Sequence, residues 1–121
     1  MHKFWQKARH YRDRFRKTEK LFARALQEWG WGSQMGMLAE ESAELTVAVH
    51  HLLRAQTPEN IKALASEMAD VEIMLEQARF MHPDLGKLAD ECRREKLRRL
   101  RERLNAGARR QAEATGAGAG P

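Results

Sequence analysis

Two runs of apolar residues at helical spacing, Gln34 to about Ala55 and Thr57 to about Met81, are separated only by the break at Thr57-Pro58-Glu59. Each carries a pair of acids three residues apart. That spacing places Glu41 with Glu44 on one helix face, and Glu67 with Asp70 on one face of the next. In the first run Gln34, Leu38, Glu41, Leu45, Ala48 and Leu52 form the apolar stripe, so Glu41 stands where a core leucine normally sits. In the second, Ile61, Leu64, Met68, Val71, Leu75 and Ala78 form the stripe, with Glu67 and Asp70 flanking it. The tight connection makes the two helices antiparallel neighbours, and four carboxylates can then converge. Anions brought together out of water need a cationic neutraliser, and no Lys or Arg lies within a helical turn of either pair. The sequence points to a divalent metal.

The helical period dominates, with almost no two-residue alternation, so the expected class is all-α. A chain of 121 residues supports one domain with a modest core. The single Cys92 has no internal disulfide partner, and no stretch reads as a signal peptide or a membrane span. The expectation is a cytoplasmic protein. Its net charge of +5 conceals a segregation: residues 1–20 carry a balance of +6, residues 31–82 a balance of −5 and residues 83–104 a balance of +3. An acidic centre between basic ends suits a metal-bound polyphosphate, and also a basic tail on an acidic bundle.

Residues 1–18 form a basic, amphipathic extension in which Phe4, Trp5, Tyr11 and Phe15 alternate with Lys and Arg. This pattern reads either as contact with nucleic acid or an anionic surface, or as an aromatic stripe packing on the bundle or a partner subunit. From Thr18 to Trp29 the spacing predicts the first bundle helix, stopped by Gly30. The loop Gly30-Trp31-Gly32-Ser33 offers Ser33 as N-cap of the next helix, with Trp31 as a plug or a stacking platform. Thr57 and Pro58 supply an N-cap and an N1 proline for the third helix, and His82-Pro83-Asp84 breaks it. A fourth helix is expected over about 85–104. From Asn105 the Gly/Ala-rich tail, residues 105–121, shows no apolar period and is expected to be disordered. The helical domain is thus expected over 19–104 as a four-helix-bundle-like unit.

A carboxylate-bridged di-iron bundle needs Glu-x-x-His on two helices, and His50, His51 and His82 follow Val47, Ala48 and Arg79 at that spacing. The remaining donors are all oxygen, which favours magnesium or manganese. Magnesium held by a few carboxylates keeps positions open for water and phosphate oxygens, so the chemistry implied is phosphoryl or nucleotidyl transfer to water. No phosphate-cradling glycine loop is present.

Trp29-Gly30, Gln34, Glu40-Glu41-Ser42-Ala43-Glu44-Leu45, the run Glu67-Met68-Ala69-Asp70 through Gln77, and Glu95-Lys96-Leu97-Arg98-Arg99-Leu100 together resemble a compact MazG-like nucleotide pyrophosphohydrolase of the all-α NTP pyrophosphatase superfamily. The similarity spans about Leu26 to Leu104 and leaves out both ends. It implies hydrolysis of a nucleoside triphosphate to a monophosphate and pyrophosphate, with magnesium or manganese as cofactor. It also implies assembly as a homodimer or homotetramer. By the same resemblance Glu41, Glu44, Glu67 and Asp70 are metal ligands, with Glu41 also catalytic. Glu40 is a second catalytic glutamate that supports the metal or acts as base. Lys96 and Arg99 correspond to phosphate-binding residues. Gln34 sits on the Glu41 stripe as a base-binding candidate, with Trp31 or Met37 stacking on the base.

The competing expectation is a non-enzymatic helical adaptor that binds nucleic acid or a partner through residues 1–20 and the Arg-rich fourth helix. It leaves Glu41 on the seam unexplained, and Glu41 and Glu44 would repel a phosphate backbone passing over them. A degenerate relative that binds nucleotide without cleaving it is a third expectation, opposed by the four intact acids.

Overall fold

The computed structural model describes the backbone of residues 2–116 and the side chains of residues 16–116. The aromatic and basic face expected from Phe4, Trp5, Tyr11 and Phe15 lies outside those side chains. Four helices follow one another: α1 His2–Trp29, α2 Trp31–Arg54, α3 Pro58–Met81 and α4 Pro83–Gly116. Among the described residues there is no strand, as the all-α expectation required. None of the described helices is long and apolar enough to cross a membrane. The chain divides between Pro83 and Asp84 into two compact units, so the domain expected over 19–104 spans both.

A single residue separates α1 from α2. Gly30 has φ 83° and ψ 163°, a region that essentially only glycine occupies. Its amide donates to Leu26 O at 2.9 Å, closing α1, and its carbonyl accepts from the Gln34 amide at 3.2 Å, opening α2. The expected four-residue loop with Ser33 as cap is therefore corrected. Trp31, Gly32 and Ser33 already belong to the first turn of α2, because one glycine at positive φ suffices to redirect the chain, and no side chain caps the helix.

The α2–α3 turn follows the sequence closely. Thr57 is the N-cap, its hydroxyl oxygen accepting from the Asn60 amide at 3.2 Å, with Pro58 at the first helical position. The Asn60 side chain reaches back across the turn. Its Nδ2 donates to Ala55 O at 2.8 Å and to His51 O at 3.3 Å, the second carbonyl shared with the Ala55 amide that closes α2. This clamp ties the start of α3 to the end of α2 and fixes the register of the antiparallel pair.

On α2, Gln34, Leu38, Glu41, Leu45, Ala48 and Leu52 are all buried or half-buried, so the expected seam forms with Glu41 in it. The α3 seam differs. Ile61, Met68 and Leu75 of the expected stripe are exposed at 54%, 47% and 48%. Leu64, Val71 and Ala78 of that stripe face inward as expected, joined by Glu67 and Met74. Helix α3 is apolar on two sides, and hydrophobicity alone did not decide between them. The inward side is the one that carries Glu67. Helix α1 adds Phe22, which is buried and packs against Phe80 with ring centroids 6.0 Å apart at 45°.

Helix α4 is a unit of its own. Arg98 donates to Glu95 at 2.6 and 2.9 Å and also pairs with Glu102, while Arg99 Nε donates to Glu95 Oε1 at 3.0 Å. These pairs at three- and four-residue spacing support a helix with little apolar burial. The Arg98 and Arg99 guanidiniums hold the Glu95 carboxyl down to about 2. The tail expected to be disordered from Asn105 is instead helical to Gly116. Ala106, Ala108, Ala112 and Ala114 alternate with Arg, Gln and Glu, all strong helix formers, and Gly107 costs only about 1 kcal/mol against alanine. Residues 117–121 lie outside the description.

Candidate functional site

The acids on the two seams meet. One carboxylate oxygen each from Glu41, Glu67 and Asp70 lie within 4.8 Å of one another, Glu41 from α2 and the other two from α3. Glu41 and Glu67 are half-buried, and the Oε2 atom of each is buried with no hydrogen-bond partner. Glu44, one turn after Glu41, is more exposed, yet it acts on both carboxyls by charge and by side-chain hydrogen bonding. The four acids at helical i,i+3 spacing thus form one cluster.

Electrostatics follow from that placement. Loss of water around Glu41 raises its pKa above the ordinary 4.5, and the charges of Glu44, Asp70 and Glu67 raise it further. Glu67 is raised in the same order of causes: first the loss of water, then the charges of Glu44 and Asp70. Neither shift involves a cation. Glu41 and Glu67 are opposed by their acidic neighbours, and a bound cation would relieve that repulsion. A set of three or four carboxylates, two of which also bury an unpartnered oxygen, fits a hard divalent ion such as magnesium or manganese.

Glu40 lies beside Glu41 in sequence but is exposed on α2, outside the close triad. It lies one turn before Glu44, on the same helix face. Lys96 and Arg99 lie on α4, where Arg99 is engaged by Glu95.

Beyond the cluster, the first unit contains a groove of about 950 Å³ between α1, α2 and α3. Gln34 and Met37 line it, as the base-binding expectation needs. Trp31 is not part of this lining and is 55% exposed; Trp29, at the end of α1, lines the groove in its place. Gly30 explains the exchange, because it directs α2 away immediately after Trp29. The far wall is made by Ile73, Met74 and Gln77 of α3. Gln77 is 2% exposed, and its Nε2 has no partner. Sequence reasoning gave it no role, although it carries the signal that singled out Glu41: a polar side chain on a helical apolar face.

No protein-family model matches the chain, and neither a curated protein nor a solved structure matches it.

Proposed function

We propose that the chain is a magnesium-dependent nucleoside triphosphate pyrophosphohydrolase, cleaving between the α and β phosphates to give a monophosphate and pyrophosphate. One observation carries the reading. Glu41 and Glu67, each with a buried, unpartnered Oε2, bring carboxylate oxygens within 4.8 Å of each other and of Asp70, and no Lys or Arg lies within a helical turn of these acids. The sequence resemblance to MazG-like pyrophosphohydrolases, whose acid motifs these residues match, gives the arrangement its chemistry.

In this reading Glu41, Glu44, Glu67 and Asp70 hold magnesium, or manganese in its place. The ion supplies positive charge against the phosphate oxygens and lowers the pKa of water. Glu41 and Glu67 fix its position because their helices are held in register by the Asn60 clamp. Glu40, in solvent on the face it shares with Glu44, takes the proton of the attacking water. Lys96 and Arg99 of α4 are the phosphate-binding candidates, and Arg99 must leave Glu95 to serve. The nucleoside occupies the groove lined by Gln34, Met37 and Trp29.

The working form is a homodimer or homotetramer. Among the described residues the buried hydrophobic side chains are only Phe22, Ala48 and Ala78, while Ile61, Met68 and Leu75 form an exposed line along α3. An apolar line of that kind is covered in a partnered protein. We place the protein in the cytoplasm.

The test is product analysis with the canonical and deoxy nucleoside triphosphates in magnesium. Pyrophosphate and monophosphate in equal amounts support the reading. Steeply salt-dependent binding to DNA, with no nucleotide cleaved, supports the adaptor.

A further inference from the structure

We infer that Gln77, which lines the groove, reads the base of the bound nucleotide, its carboxamide turning toward the groove so that the N–H donates to a ring nitrogen or carbonyl oxygen of the heterocycle. The inference rests on the pyrophosphohydrolase reading for its substrate class, and on three features of the groove for its geometry.

The first is the orphaned donor. Gln77 is the most deeply buried polar side chain among the described residues, and its Nε2 meets no acceptor. A buried donor without a partner destabilises a protein by the full desolvation of the group, and an apolar residue of the same shape would avoid that penalty. A glutamine at this position is explained by an acceptor that arrives with the ligand.

The second is placement. Gln77 follows Asp70 by seven residues on α3, and Gln34 precedes Glu41 by seven on the antiparallel α2. Both amides therefore lie two turns, about 10 Å along the helices, from the carboxylate cluster, and on the same side of it. A ribose and its first phosphate bridge a gap of that kind, so a polyphosphate at the acids puts the heterocycle at the two glutamines. Gln34 is itself buried, at 5% exposure.

The third is the surrounding wall. Phe22, Met37, Met74 and Trp29 supply flat or polarisable apolar surface around the two amides. An apolar slot with a few convergent polar groups takes a planar heterocycle with polar edges. A site built to hydrogen-bond such an edge rejects ligands that lack it more strongly than an apolar pocket rejects a change of size.

The test uses the full chain without metal, so that it does not depend on hydrolysis. The side-chain amide signals of Gln77 are followed by NMR while deoxyadenosine, deoxycytidine, deoxyguanosine, thymidine and deoxyuridine are titrated, each as nucleoside and as 5′-monophosphate. The expected result is movement of the Gln77 amide signals with one base or a subset of bases. Gln77→Met should then weaken those ligands by about ten-fold or more while the melting temperature stays level or rises. If Gln77→Met does not fold, the wild-type titration decides alone.

Gln77 signals that ignore every nucleoside, or that move with protein concentration instead, overturn the inference. So does a folded Gln77→Met protein with unchanged base preference. If nucleosides move Gln77 but no triphosphate is cleaved, the base site stands and the hydrolase reading falls. If triphosphates are cleaved with the same base preference in Gln77→Met, the reverse holds.

Discussion

Glu41 on α2 and Glu67 on α3 each bury an Oε2 atom that no donor reaches, and carboxylate oxygens of the two residues lie within 4.8 Å of one another. Two anions placed this way oppose folding unless they are protonated or a cation joins them. Converting either to its neutral amide should therefore stabilise the metal-free protein while abolishing its response to magnesium. Wild-type protein should gain about 2.7 kcal/mol at a magnesium concentration of about 100 times Kd. Glu41→Gln and Glu67→Gln should gain almost nothing, start from a higher melting temperature and lose hydrolysis. Thermal unfolding with and without magnesium checks all but the last.

The same repulsion sets a pH dependence. Glu41 and Glu67 have folded pKa values above the ordinary 4.5, so the folded state binds their protons more tightly than the unfolded chain does. The stabilisation is fully present below the unfolded value and is lost as pH rises through the folded values. Metal-free protein should thus become more stable as pH falls from neutrality toward that range, and saturating magnesium should flatten the trend. Urea titrations at a series of pH values measure it. The depressed Glu95 on α4 has the opposite sign, but its contribution fades only as pH falls from the ordinary 4.5 toward about 2, below the window that tests the cluster.

The Asn60 side chain holds the α2 terminus through Ala55 O and His51 O, and its backbone amide completes the Thr57 cap. Asn60→Ala should cost about 1–2 kcal/mol and Thr57→Ala about 1 kcal/mol. Only Asn60→Ala should also weaken magnesium binding, because it alone frees the register that aligns Glu41 with Glu67. Denaturant curves paired with metal titrations separate the two effects.

The exposed line of Ile61, Met68 and Leu75 predicts self-association through α3. Ile61→Glu or Leu75→Glu should drive the protein to monomer and lower its stability, while Ala23→Glu or Gln27→Glu at exposed positions of α1 should not. Sedimentation velocity checks the assembly state.

Much of the site was legible in the sequence, because helical periodicity and i,i+3 spacing are local. Glu41 on an apolar stripe, a clear cap at Thr57-Pro58 and a short turn were enough to bring Glu41, Glu44, Glu67 and Asp70 together. The facing side of α3 was legible only in part: Leu64, Val71 and Ala78 of the apolar stripe turn inward, but Ile61, Met68 and Leu75 are equally apolar, and only packing against α2 leaves them exposed. Trp29 lines the groove where Trp31 was expected for a similar reason: the turn depends on one glycine at positive φ, and sequence suggested a longer loop. The helix from Asn105 to Gly116 was missed because it draws on alanine propensity rather than on an apolar face. Gln77 was missed because its meaning depends on a wall contributed by two other helices.

The central claim is that the carboxylate cluster is a divalent cation site. Titration with manganese, followed by the loss of the free-ion electron paramagnetic resonance signal, tests it most directly. The account predicts saturable binding at neutral pH that is displaced by magnesium, weakened as pH falls and abolished in both Glu41→Gln and Glu67→Gln. Equal manganese uptake by wild type and the two variants would contradict it.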